Sequence, residues 1–183
     1  NRSILGNATS PETQKTLNLK VKYRESFRPF APSVLEEECD QWFELNSPSP
    51  YMLLVDEVKK ENQIYTKSKN VNLFGIDELN LARSNIPAVT HIDMSARIQT
   101  VSSKTNPLYH KLLAAVKSKT GCPLVVNTSF NVRGEPIVNT PLDAFRCFMG
   151  TELDTLVIGN CFLEKKDQIQ NLKKDYKNQF EPD

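Results

Sequence analysis

No apolar run in the sequence approaches the roughly 18 residues needed to cross a bilayer, so a membrane-spanning helix is not expected. Charge of one sign is also lacking: 23 Lys+Arg stand against 22 Asp+Glu, net +1. That balance withholds the strongly basic footprint of a nucleic-acid binder and leaves only a local basic patch as a route to one. The four cysteines, Cys39, Cys122, Cys147 and Cys161, form no C-x-x-C pair, which excludes zinc-ribbon and thioredoxin-type motifs. They read as reduced, buried small hydrophobes; Cys122 adjoins Pro123 and Leu124, and Cys147 adjoins Phe148. Neither G-x-x-x-x-G-K-[ST] nor G-x-G-x-x-G occurs, so a nucleotide would have to be held without those fingerprints. Asn1-Arg2-Ser3 carries neither an initiator Met nor an apolar leader, which points to a cytoplasmic protein and to a segment of a longer polypeptide.

What is present is the composition of an ordinary globular domain, 39% hydrophobic and 25% charged over 183 residues. A chain of this length buries roughly 70% of its unfolded surface and needs no disulfide or metal to close a core. Ser10-Pro11-Glu12 sets an N-cap, an N1 proline and a first-turn acid, predicting a short helix to Leu19. Lys20 to Pro32 reads as a shaped loop closed by Pro29-Phe30-Ala31-Pro32. Ser33 and Glu36 have capping-box spacing, predicting a helix over Val34–Phe43. Strands are expected at Tyr51–Val58, Pro87–His91, Arg97–Val101 and Pro123–Val126, with a last one from Thr155 to Ile158 continuing towards Phe162. Between Lys59 and Asn85 the polar composition suggests a long surface loop. Asn106-Pro107 opens a helix with Leu108, Leu112, Ala115 and Val116 on its apolar face and Gly121 at its stop. Thr140-Pro141 opens another through Phe148, ended by Gly150. Interleaved strands and helices predict an α/β class with a twisted, mixed sheet, and Lys165–Asp183 reads as a polar, frayed tail.

The chemistry-bearing residues are cations on irregular segments: Lys22, Arg24 and Arg28 before Pro29, Arg97 after Ser95-Ala96, and Arg133 before Gly134. Guanidinium groups take phosphate oxygens in pairs and lysine adds a point charge, so a convergent set would clamp a polyphosphate. Asn127, Ser129 and Asn131 add short hydrogen-bonding side chains beside Arg133, and His91 reads as a polar contact at the same anion site. His91 and Asp93 lack a third ligand at standard spacing, so no metal set is expected.

At NRSIL, KYRESFRPFAPSVL, SPYMLLV, IPAVTHIDMSARIQTV, TGCPLVVNTSFNVRGEPIVNTPLDAFRCF and LVIGN, the sequence closely resembles the C-terminal domain of O-carbamoyltransferases of the NodU/CmcH family, from Asn1 to about Leu163. The resemblance implies a YrdC-like domain over residues 1–164, a twisted mixed sheet with flanking helices and a concave binding face, followed by the tail at 165–183. It implies an N-terminal ASKHA-type domain of the same polypeptide, holding the metal and the acceptor site and absent from this chain. The implied activity is activation of carbamoyl phosphate with ATP and Mg²⁺ to carbamoyl adenylate, for transfer to a hydroxyl acceptor by that other domain. Lys22 and Arg28 match K-x-R-E-x-F-R-P-F, Arg97 matches H-x-D-x-[ST]-A-R-x-Q, and Arg133 matches N-T-S-F-N-x-R-G-E-P, which makes these four the implied catalytic cations. Arg24, His91, Ser95, Asn127, Ser129 and Asn131 are the implied substrate-binding or nucleotide-binding residues, and no metal ligand is named, although Asp93 and Glu135 are available carboxylates. Met94 stands where relatives often carry Gly, and a further family Arg belongs to a G-P-R-A-L-G segment just upstream of this sequence. Two other readings stay open, an RNA-binding or nucleotide-binding YrdC-like module and a docking domain with a vestigial anion site. The net charge of +1 opposes the first.

Overall fold

The computed structural model describes residues 1–64, 82–169, 176 and 180. The chain is an α/β protein that divides into two compact units. One unit comprises Asn1–Ile4, Thr16–Ser26 and Ser129–Asp183, and the other comprises Leu5–Lys15 and Phe27–Thr128. Most of the polar loop expected over Lys59–Asn85 falls on 65–81, outside the described residues. Its flanks are a 3₁₀ turn at Lys60–Asn62 and a bridge between Gln63 and Ser84.

The main sheet has five strands in the order β1-β5-β2-β4-β3, and β2, β3, β4 and most of β5 belong to the larger unit. Its strands are β1 (Ser3–Gly6), β2 (Ala31–Leu35), β3 (Leu54–Glu57), β4 (Ser95–Val101) and β5 (Leu124–Ser129). β2 runs parallel to β4 and antiparallel to β5, while β3 closes the β4 edge antiparallel, so the sheet is mixed as expected. The helix expected over Val34–Phe43 is corrected here. Ser33 and Val34 belong to the central strand β2, and helical backbone starts only at Glu36, as a 3₁₀ turn leading into the short helix α2 (Cys39–Trp42). Pro32 misleads because it has no N–H to give. It pairs with Val126 on the β5 side, while the ladder to β4 begins only at Ser33. All five β2 residues are buried, which favours a strand covered on both faces over an amphipathic helix.

Helix α1 (Pro11–Lys20) and helix α3 (Pro107–Thr120) lie where the sequence puts them. The buried face of α3 is displaced from the one expected: Tyr109 and Leu113 are buried, whereas Leu108 is 80% exposed and Leu112 45%. Tyr109 and Leu113 pack on Leu35, Val101 and Val125, with Leu5 and Val116 at the margin. Pro87–Val89, expected as a strand, is a 3₁₀ turn in which Ala88 and Val89 are buried.

In the smaller unit, helix α4 (Pro141–Gly150) opens with a reciprocal cap. The Asp143 N–H donates to Thr140 Oγ1 at 3.2 Å, and the Thr140 N–H donates to Asp143 Oδ2 at 2.9 Å. The last strand of the sequence is two, β6 (Thr155–Ile158) and β7 (Cys161–Glu164), folded as a hairpin with Ile158 opposite Cys161. Gly159, at φ 56°, supplies the turn. Within the stretch expected to fray, Lys165–Asp167 forms a 3₁₀ turn and the Lys165 ammonium donates to the carbonyls of Phe148 and Thr151. Tyr176 is buried in this unit.

Candidate functional site

The alternation of strand side chains builds the first group of polar residues. On β2, β4 and β5 the registers Ser33↔Gln99, Leu35↔Val101, Ser33↔Val125 and Ala31↔Asn127 put Ser33, Gln99 and Asn127 on one face with Leu35, Val101 and Val125. Helix α3 covers the apolar end of that face. At the polar end, Asn127 Nδ2 donates to Ser33 Oγ at 2.9 Å and to Gln99 Oε1 at 2.8 Å, and Ser33 Oγ donates to Gln99 Oε1. Arg97, two residues before Gln99 on the same strand, shares the face and is exposed. Tyr109 stands at the junction of the two ends. Burial raises its phenol to about 12, Ser33 pulls the other way, and its buried hydroxyl has no partner at bonding geometry among the described residues.

A second feature of this unit is the turn that delivers the chain into β4. His91 N–H donates to the Ser95 carbonyl at 2.8 Å and Met94 N–H to the His91 carbonyl at 3.1 Å, with Met94 at φ 65°. A positive φ is a conformation that only Gly takes without cost, so Met94 holds this turn with backbone strain. Inside the turn, Ser95 Oγ donates to Asp93 Oδ1 at 2.6 Å, and the Ser95 N–H joins it at 3.0 Å. These two bonds hold Asp93 below the usual carboxylate range. His91 Nδ1 lies 3.1 Å from Ser95 Oγ. Because Ser95 gives its one hydroxyl proton to Asp93, the count of hydrogens makes His91 Nδ1 the donor and leaves Nε2 as an acceptor. Burial, and after it the charge of Arg97, lowers the His91 pKa against the opposing pull of Asp93, so the ring is neutral at pH 7. Arg28 is exposed, and its carbonyl accepts from Gln14 Nε2 at 3.2 Å.

The smaller unit carries the remaining expected residues. Lys22 is 4% exposed, and its Nζ lies 2.5 Å from the Ser129 carbonyl, 2.8 Å from the Asn131 carbonyl and 2.8 Å from Asn131 Oδ1. Ser129 Oγ is a fourth, longer neighbour at 3.3 Å. Three ammonium protons are thus matched to three close oxygens of the loop. Burial, and then Arg24, lowers Lys22 to about 8. The loop is braced further: Asn131 Nδ2 donates to the Glu135 carbonyl at 2.6 Å, the Val132 N–H to Glu135 Oε2 at 2.8 Å, and Gly134 takes φ 75°. Arg133 is exposed on this loop. Arg24 Nε donates to Asn18 Oδ1 at 2.7 Å.

The structure therefore joins Lys22 to Ser129 and Asn131, His91 to Ser95, and Asn127 to two residues that sequence reasoning missed, Ser33 and Gln99. The signal for Gln99 was its spacing of two from Arg97 in an alternating strand; Ser33 was hidden by its resemblance to a helix cap. The available carboxylates differ sharply. Glu135 is buried with one oxygen taken by the Tyr176 hydroxyl and the other by the Val132 N–H, which does not suit a metal ligand, while Asp93 is exposed.

Residues 1–165 match the family model described as carbamoyltransferase C-terminus. The chain is 56% identical over 169 residues to the uncharacterized protein sll1178 of Synechocystis sp., covering 92% of this chain and 28% of that protein. It is 40% identical over 170 residues to nodulation protein NolO of Bradyrhizobium diazoefficiens, covering 91% and 27%. To nodulation protein U of Rhizobium tropici it is 38% identical over 133 residues, covering 73% and 20%. It thus spans between a fifth and three tenths of the length of these relatives, which carry additional sequence in the same polypeptide. On the family match and these identities, the chain belongs to the carbamoyltransferase C-terminus family.

Proposed function

We propose that this chain is the carbamoyl-activating domain of an O-carbamoyltransferase, YrdC-like in its binding face, and that it forms carbamoyl adenylate from carbamoyl phosphate and ATP. Carbamoyl phosphate and water give carbamate and phosphate; a carbamate oxygen then attacks the α-phosphorus of ATP, and pyrophosphate leaves. The additional sequence of the longer relatives corresponds to the ASKHA-type domain that transfers the carbamoyl group to a hydroxyl. The observation that carries the reading is the polar end of the sheet face, where Arg97 stands exposed beside Gln99, Asn127 and Ser33.

Adenylation requires no side-chain nucleophile. It needs an oxygen held in line with phosphorus while charge spreads over phosphate oxygens, which is work for guanidinium groups and hydrogen-bond donors. In this reading Arg28 and Arg97 of the larger unit are phosphate-binding cations, Asn127 and Gln99 orient the substrate, and neutral His91 accepts a proton or hydrogen bond at Nε2; Arg133 is the exposed cation that the smaller unit offers by itself. Lys22 acts one step removed, holding the loop that bears Arg133. Mg²⁺ would arrive on the triphosphate, with Asp93 as the exposed carboxylate near Arg97's strand; it would neutralise charge on the phosphate oxygens. A cytoplasmic setting accords with cysteines that are all free.

Calorimetric titration of ATP and carbamoyl phosphate into Arg97→Ala and Arg133→Ala tests the assignment. Charge-assisted hydrogen bonds are worth about 1.5–3 kcal/mol, so each variant should bind one of the two ligands at least about tenfold more weakly, with an unchanged melting profile. Unaltered affinity for both ligands in both variants rejects the clamp.

A further inference from the structure

Tyr176 lies beyond residues 1–165, the span matched by the family model, in a stretch whose composition reads as a frayed tail. Its ring is nonetheless 5% exposed. The seat is specific: a Cβ added to Gly150 would come within 2.3 Å of the Tyr176 Cβ, so the absence of a side chain at the end of α4 is what admits the tyrosine. Phe180 packs edge-on against it, with ring centroids 5.4 Å apart. From this seat the Tyr176 hydroxyl donates to Glu135 Oε1. Glu135 Oε2 takes the Val132 N–H, the Glu135 carbonyl takes Asn131 Nδ2, and Asn131 Oδ1 takes the Lys22 ammonium. One continuous set of hydrogen bonds within the smaller unit therefore runs from the tail, through the loop that bears Arg133, to Lys22.

We propose that Tyr176 is a positioning residue: by donating to the Glu135 carboxylate it fixes the Ser129–Glu135 loop and so the presentation of Arg133. Glu135 is buried in the same unit among Tyr176, Cys147 and Lys22, and it needs both oxygens occupied by donors to sit there. Removing the tyrosine hydroxyl takes away the O–H donor of Oε1 and leaves the Cys147 thiol, a weak donor, as the other side-chain partner of this carboxylate, so the loop relaxes to let water reach it. The consequence for ligands rests on the functional reading above; the consequence for the loop does not.

The test compares the wild-type chain with Tyr176→Phe, which keeps the ring in the Gly150 seat and loses only the hydroxyl. Hydrogen exchange at the Val132 amide should accelerate at least about tenfold while the α4 amides and the melting temperature stay put, and carbamoyl phosphate or ATP should bind more weakly by a similar factor. Glu135→Leu supplies an independent variant, because it removes the acceptors of both the Tyr176 hydroxyl and the Val132 N–H; it should give the same local acceleration. Unchanged Val132 exchange in both variants overturns the proposal, as does acceleration spread evenly over the whole unit, which would mark a merely structural residue. If neither ligand binds even the wild-type chain, the functional reading fails while the exchange result still decides the role of Tyr176.

Discussion

Replacing Lys22 by Met removes the protons that the Ser129 carbonyl, the Asn131 carbonyl and Asn131 Oδ1 accept, and it does so in a place water barely reaches. Orphaned buried acceptors cost about 1–3 kcal/mol each, and partial relaxation of the loop recovers some of that, so a loss of about 3 kcal/mol is expected in urea unfolding. The pH dependence gives a second handle on the same residue. The Lys22 pKa falls from 10.5 to about 8 on folding. Between those values the unfolded chain therefore binds more protons, and stability rises with pH there, by at most about 1.4 kcal/mol per unit. Below pH 8 both states hold the proton and the slope vanishes. Buried Cys39, Cys122 and Cys147, whose thiols burial pushes up, oppose that slope in both proteins, so the quantity to read at pH 7, 8 and 9.5 is the wild-type stability minus that of Lys22→Met, which should rise above pH 8. His91 offers a companion check by NMR titration. Burial and Arg97 lower its pKa and Asp93 raises it. Asp93→Asn should then move the titration further down and Arg97→Ala should move it up, and opposite signs would contradict the placement of this turn.

At the scale of elements, what the sequence made legible was local chemistry, and what it hid was decided by neighbours distant along the chain. Helix α3 is legible because Pro107 at its start and Gly121 past its end act within a few residues. Gly121 sits at φ 77° with its N–H on the Lys117 carbonyl at 2.8 Å, and apart from its immediate chain neighbours no atom lies within 4 Å of where a Cβ would go. Gly121→Ala should therefore cost about 1 kcal/mol through backbone strain alone, without a clash; a thermal shift too small to detect would contradict the left-handed cap. The face that α3 buries is less legible, because Leu108 and Leu112 satisfy the same period as Tyr109 and Leu113, and only the sheet decides between the stripes. Strand β2 is illegible for a related reason. Ser33-x-x-Glu36 is a good local helix signal, and it loses to the pairing of Val34 with Thr100 and Leu124 on two different strands. That misreading concealed Ser33 as a member of the polar group with Gln99 and Asn127, whereas Arg97, His91, Ser95 and Asn127 stand out in the sequence as residue types on loops or strand ends. Their partners required the registers.

For the whole molecule, the decisive quantity is how small a share of its relatives this chain represents, 28% of the Synechocystis protein and 27% of NolO. Activation and transfer make different physical demands. Forming an acyl adenylate, as proposed above, needs phosphate-binding cations and aligned donors. Carrying the acyl group to an alcohol also needs an acceptor pocket and a group that polarises the hydroxyl. The two half-reactions should therefore separate in experiment. With carbamoyl phosphate and Mg²⁺ supplied, the chain should exchange labelled pyrophosphate into ATP, and Arg97→Ala should slow that exchange at least about tenfold. The same preparation should leave simple alcohols and sugar hydroxyls uncarbamoylated, while a full-length relative performs both. Alcohol carbamoylation by the chain alone would overturn the division of labour. Absence of exchange in the full-length relative as well would refute adenylation as the activating step, because pyrophosphate would then not be the leaving group.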